Sequence, residues 1–162
     1  MKQHPVSEHP APRRMSLIVS KGGLDEAYPA LILANAARMS GIEAMIFFTF
    51  YGLDVITDAK VDKLHVNMAG NPSSPMPTVV AGLPGMERFA AHMMKKRMEE
   101  MDLPTVREML EVLHDSGCEL YACELAMDMM QIPETALVPW VKDVITAGDF
   151  YDLSVGAQIV FT

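Results

Sequence analysis

Two cysteines, Cys118 and Cys123, are the side chains of this 162-residue chain best suited to nucleophilic chemistry. Cys123 follows a short apolar run and precedes a segment with helical character. Unpaired backbone N–H groups and the dipole at such a helix start stabilise a thiolate. The carboxylate of Glu124 acts in the opposite direction, because a negative charge disfavours a neighbouring anion. Cys123 is therefore a candidate catalytic thiol, although a small buried hydrophobic role remains open for it.

Cys118 is poorly placed to form a disulfide with Cys123. Five residues of strand cover roughly 16 Å at about 3.3 Å per residue, whereas a disulfide needs Cα atoms within about 7 Å. The odd separation also places the two thiols on opposite faces of a strand. We therefore predict a core position for Cys118. The spacing does not suit zinc either, and we expect no metal site.

The segments around the cysteines alternate between strand and helix patterns. Helices are predicted between the strands, including Glu124–Met130, Met86–Met101, Thr105–Ser116 and Val144–Gly156. The order favours a single-domain α/β fold, a doubly wound sheet of about five mostly parallel strands flanked by helices. This domain should span residues 15–162, after a flexible tail at 1–14. The predicted strands are Met15–Ser20, Ile42–Phe48, Cys118–Ala122, Trp140–Asp143 and Gln158–Phe161.

Ligands of open parallel sheets bind outside the carboxyl ends of the strands. Lys21, Gly22 and Gly23 follow the first predicted strand, and Tyr51 follows the second. We expect these residues to line a site together with Cys123 and Glu124. The glycines would let a ligand approach the backbone closely. The Lys-Gly-Gly sequence matches no Walker loop or GxGxxG pattern, so phosphate binding is suggested only by its position.

The composition excludes several kinds of partner. The formal charge is −8, with 21 acidic and 13 basic residues, which disfavours nucleic acid and anionic membranes. No apolar run reaches the ~20 residues of a membrane span, and no apolar leader is visible. We therefore expect a cytoplasmic protein. The fifteen methionines, many in the segment 86–101, favour core or oligomer packing over a lid or partner surface.

Two segments carry a family resemblance. Ser-Lys-Gly-Gly-Leu-Asp at 20–25 and Gly-Cys-Glu-Leu-Tyr-Ala-Cys-Glu-Leu-Ala-Met-Asp-Met-Met-Gln-Ile at 117–132 resemble the DsrE/DsrF-like family, in its larger sulfurtransferase or "peroxiredoxin-like" branch. The resemblance extends over about residues 15–162. It implies a doubly wound sheet in a homo-oligomer. The peroxiredoxin label does not fit, because no peroxidatic Pro-x-x-x-Thr/Ser-x-x-Cys pattern precedes Cys123.

The same resemblance implies a sulfur relay without a cofactor. Cys123 would hold sulfane sulfur as a persulfide and pass it to a partner thiol. The partners implied are a rhodanese-like donor and a TusA-like carrier. Whether the chain is an enzyme or a carrier stays open. Two alternatives also stay open: a nucleotide- or flavin-binding α/β module, and a non-catalytic oligomeric scaffold with an inert thiol.

Overall fold

The computed structural model describes residues 14–66 and 86–162, and the side chains of the second helix from residue 89 onward. Strands and α-helices alternate along the chain. In the described part of the chain, three short 3-10 helices lie between them, at Phe50–Ile56, Val61–Lys63 and Glu134–Ala136. The order is β1 (Arg14–Val19), α1 (Leu24–Met39), β2 (Glu43–Phe48), α2 (Met86–Glu100), α3 (Val106–Asp115), β3 (Glu119–Cys123), α4 (Glu124–Met130), β4 (Val141–Ile145), α5 (Ala147–Leu153) and β5 (Gln158–Phe161).

The five strands form one sheet in the order β4-β3-β2-β1-β5, and all four pairings are parallel. The connections from β1 to β2, β2 to β3 and β3 to β4 each lead to the adjacent strand in the same direction. The connection from β4 to β5 runs in the opposite direction, from one edge of the sheet to the other. Right-handed crossovers in opposite directions place their helices on opposite faces. The predicted doubly wound α/β fold is thus confirmed.

The two faces of the sheet bury different helices. α1 packs on β1, β2 and α3. On the other face, the Phe150 ring of α5 stacks on Phe47 of β2 with centroids 5.0 Å apart. The Ser154 hydroxyl, which follows α5, donates to the Ser16 hydroxyl of β1 at 3.0 Å. The register pairs Ser16 with Met45 and Ile18 with Phe47, so alternate strand residues face α5.

Some element boundaries differ from the sequence prediction. The helix predicted over Val144–Gly156 begins only at Ala147, because Val144 and Ile145 belong to β4. A Thr146 capping box fixes this start: the Thr146 side chain accepts from the Asp149 N–H, and Asp149 caps the Thr146 N–H in return. Arg14 begins β1. The rest of the predicted tail lies outside the described residues. The same holds for most of the stretch 62–83, where prolines among Gly and Ser predict an irregular loop.

The methionine-rich helix α2 packs with one side against the domain. Ala91 is buried, and Ala90, Met94 and Met98 contact the core. Met93 on another side is half-exposed. The core contacts agree with the packing role expected for this helix. Across the described residues, no helix has both the length and the apolar character needed to cross a membrane.

Candidate functional site

Cys123 lies at the junction between β3 and α4. It is the last residue of the strand and the N-cap of the helix, with extended φ and ψ of −80° and 116°. Its side chain makes no capping hydrogen bond. In the sheet, Cys123 lies opposite Ile145 of β4. On the other side, Ala122 pairs with Phe48, so Thr49 follows next to Cys123. The sequence placed this thiol at the strand-to-helix junction, where the structure also has it.

The thiol of Cys123 is less accessible than the sequence suggested. The residue is 7% exposed and belongs to the hydrophobic core. The strand register indicates which face of the sheet Cys123 lies on. Cys123 shares its strand face with Tyr121, which is opposite Phe47, and Phe47 is the ring covered by Phe150 of α5. The side chain of Cys123 therefore projects to the face that α5 packs against.

Cys118 is a second buried thiol. It precedes β3 at the opposite end of the strand and is 3% exposed. Burial raises the pKa of Cys118 to about 12; the Arg38 charge lowers this pKa and the Glu119 charge raises it, each by less than burial does. The predicted core position of Cys118 is confirmed.

A cavity of about 770 Å³ opens near the carboxyl ends of β1 and β2. Four of the six predicted site residues line it: Lys21, Gly22, Gly23 and Tyr51. Cys123 and Glu124 are not among its described lining residues. The separation follows from the faces of the sheet, because Cys123 projects towards α5 whereas this cavity borders the start of α1. The remaining described lining residues are Glu26, Asp54, Ala59, Lys60, Lys63, Leu64, His65 and Val66.

The two glycines of the cavity lie close to other atoms of the chain. A Cβ at Gly22 would lie 2.5 Å from the Tyr51 carbonyl oxygen. At Gly23 it would lie 2.7 Å from a carboxylate oxygen of Glu26. Contacts this short are not tolerated without movement. Gly22 thus makes room for the chain's own backbone at Tyr51, and Gly23 for the side chain of Glu26.

Sequence reasoning missed the other basic residues of the cavity. Lys60, Lys63 and His65 follow the 3-10 helix after β2 and reach the same cavity as Lys21. Lys63 and His65 lay in a segment assigned to irregular loop. The available signal was the density of basic residues there, in a chain that is acidic overall.

Phe50 lies beside Tyr51 after the end of β2, at the edge of the sheet where the sequence predicts a site. It follows β2 with a φ of +46° and is half-exposed. A large side chain rarely adopts this left-handed conformation, which costs about 1–2 kcal/mol. Phe50 begins the 3-10 helix that contacts both β3 and α4. The strained residue therefore belongs to the segment beside Cys123, where strained backbone often accompanies function.

The sheet is parallel and five-stranded, and Cys123 lies where a strand meets a helix at its carboxyl edge. These two features define the class of protein: an α/β protein with a cysteine at the carboxyl edge of a parallel sheet. Within that class, the chain belongs to the DsrE/DsrF/DrsH-like family, whose model matches residues 11–161. The resemblance seen in the sequence is thus confirmed. The match covers nearly all of the described residues.

Individual relatives agree with this assignment. The sulfur carrier protein DsrE2 of Allochromatium vinosum is 33% identical over 138 residues, 80% of this chain and 86% of that protein. The protein YrkE of Bacillus subtilis is 24% identical over 157 residues, 92% and 96% of the two chains. The crystal structure of the E. coli protein ychN is similar with a TM-score of 0.50 at 11% identity, covering 92% and 99%. The last likeness concerns the fold alone.

Proposed function

We propose that this protein is a sulfur carrier that holds sulfane sulfur as a persulfide on Cys123 and passes it to a partner thiol. The observation that carries the proposal is the position of Cys123, free of a disulfide at the start of α4. The relationship to a protein named as a sulfur carrier supports the same chemistry. Sequence and fold together favour Cys123 over every other nucleophile described.

The reaction consists of two exchanges at sulfur. The Cys123 thiolate attacks the outer sulfur of a donor persulfide or polysulfide, forming one S–S bond while the donor sulfur leaves as a thiolate or hydrosulfide anion. An acceptor thiolate then attacks the outer sulfur of Cys123, and Cys123 leaves as a thiolate. Each exchange breaks one S–S bond and forms one, so neither requires an external oxidant or reductant.

The start of α4 supplies the electrostatics for the persulfide. The first N–H groups of a helix lack intrahelical partners, and their partial positive charge stabilises an anion. Glu124 is exposed and occupies the first turn of α4, where its carboxylate competes for the same N–H groups. We infer that Glu124→Gln would hasten sulfur loading, because the negative charge beside the thiol is removed.

The burial of Cys123 restricts which donors can react. A residue that is 7% exposed admits a small sulfane anion more readily than a protein thiol. Transfer to a protein partner therefore requires movement of neighbouring segments. α4, which begins directly after Cys123, is short and exposes Leu125, which is 74% accessible.

The partners that we propose are a rhodanese-like donor and a TusA-like acceptor. We propose that both act in the cytoplasm on a homo-oligomer of this chain.

Mass spectrometry of the intact protein tests the carrier function. After incubation with inorganic polysulfide and desalting, the wild type should gain the mass of sulfur, and dithiothreitol should remove it. Cys118→Ser should behave like the wild type, and Cys123→Ser should gain nothing. A wild type that gains no sulfur, or that carries the sulfur on Cys118, would contradict the proposal.

The burial of Cys123 also favours a second candidate, a non-catalytic scaffold in which this thiol is only part of the core. Alkylation of the native protein separates the two. A carrier should react with iodoacetamide at Cys123 well before Cys118, whereas a scaffold should protect both thiols until the chain is unfolded in urea. Peptide mapping after a short exposure gives the extent at each position.

A further inference from the structure

We propose that the cavity at the start of α1 is a second binding site, for a nucleotide-like anion. Its phosphate groups would be bound by Lys21, Lys60 and Lys63, and its planar ring would lie against Tyr51. All four residues line one cavity. The site is separate from Cys123, and it does not depend on the sulfur chemistry proposed above.

The charges of the cavity favour an anion. Three lysines and His65 line it, against the two carboxylates Glu26 and Asp54. The excess is positive even with a neutral histidine, in a chain whose formal charge is −8. Local charge of the opposite sign to the whole molecule concentrates anions at this place.

The lysines differ in how they are paired. Lys21 lies 3.3 Å from Glu26, and Lys60 lies 2.6 Å from Asp54. Within the described ranges, no carboxylate is within ion-pair distance of Lys63. Lysines are flexible point charges that can turn to a phosphate while retaining part of an existing pair. Lys63 is therefore the residue whose charge is available to a ligand first.

The backbone at this helix start is already occupied. The Gly23 N–H donates to Glu26 at 3.3 Å, and the Leu24 N–H donates to the His65 carbonyl at 2.9 Å. These two N–H groups are thus not free to hold a phosphate as the N–H groups of a Walker loop do. Recognition has to come from the lysine side chains, which makes the binding sensitive to single lysine substitutions.

The size of the cavity favours an organic anion over a bare one. A volume of about 770 Å³ lies within the ~300–1,000 Å³ that is usual for small-molecule sites, and inorganic phosphate would fill only a small part. Tyr51 is 68% exposed and offers an aromatic ring to a planar group. The carboxyl edge of a parallel sheet is also where such ligands bind.

Titration calorimetry with ADP and with pyrophosphate tests the site on the full chain. Wild type should bind ADP, more weakly as salt is raised. Lys63→Gln should weaken ADP binding by about tenfold, because a charge-assisted contact is lost. Lys96→Gln is the matched control, since Lys96 is an exposed residue of α2 that does not line the cavity; its ADP affinity should change by less than about twofold.

Two further variants make the outcome specific. Tyr51→Ala should weaken ADP binding while leaving pyrophosphate binding unchanged. Cys123→Ser should bind ADP as the wild type does, so that a failure of sulfur loading and a failure of this site can be told apart. No heat with ADP at millimolar concentration, equal losses in Lys63→Gln and Lys96→Gln, or unchanged ADP affinity in Tyr51→Ala would each overturn the proposal.

Discussion

The buried thiol of Cys118 should make the stability of this protein fall at alkaline pH. Burial raises its pKa from 9.0 to about 12. The folded state therefore holds a proton that the unfolded state releases above pH 9. The stabilisation is complete below pH 9 and is lost as pH rises towards 12. Between pH 8 and pH 10, the free energy of unfolding should decrease by roughly 1 kcal/mol from this one group.

Urea denaturation at pH 8, 9 and 10 measures this loss. Cys118→Ala lacks the group and should lose roughly 1 kcal/mol less than the wild type over the same range. Tyr28 and Tyr121, whose pKa values are also raised mainly by burial, are present in both proteins and their contributions cancel. Cys123→Ala retains Cys118 and is the matched control. The reasoning is refuted if Cys118→Ala and the wild type show equal pH dependence.

Three substitutions test the packing that positions the site. Gly52→Ala should prevent folding or cost more than about 3 kcal/mol by urea denaturation, because its Cβ would collide with the Val19 carbonyl. Ser154→Ala should cost about 1–2 kcal/mol by the same assay, since the buried Ser16 hydroxyl loses its partner; a neutral result would show that Ser16 finds another. Thr105→Ala removes the cap of α3 and should lower thermal stability by about 1 kcal/mol; a cost near zero would mean that the cap is dispensable.

Much of the fold could be predicted because its signals are local. The helix over Glu124–Met130 was placed with its observed bounds. Buried parallel strands are continuous apolar runs, and Ile42–Phe48 stood out as one. The boundary between β4 and α5 was misplaced because Val144 and Ile145 continue an apolar pattern that suits either element. The capping pair Thr146 and Asp149 marked the true helix start and was visible in the sequence.

The candidate site could be predicted only in part. Cys123 lies at the edge of the sheet because it is the last residue of a strand. Since β1, β2 and β3 are parallel, their carboxyl ends meet at that same edge. The exposure of Cys123 depends instead on packing across the sheet, on the face where Phe150 of α5, distant in sequence, stacks on Phe47. No local pattern encodes that contact. The position of Lys63 in the cavity could not be predicted for a similar reason. A predicted loop does not indicate which other segments of the chain it contacts.

The alternation of side chains along β3 separates the two proposed sites. Because Cys123 follows Tyr121 by two residues, it shares the α5 face with Phe47. Ala122 has the opposite orientation, towards the face that α1 covers and that the lysine cavity adjoins. A thiol one residue earlier would have projected to the side of Lys21. A ligand in the lysine cavity and sulfur on Cys123 therefore occupy different faces of one sheet. It follows that saturating ADP should leave the rate of sulfur loading unchanged, and strong competition between them would contradict this arrangement.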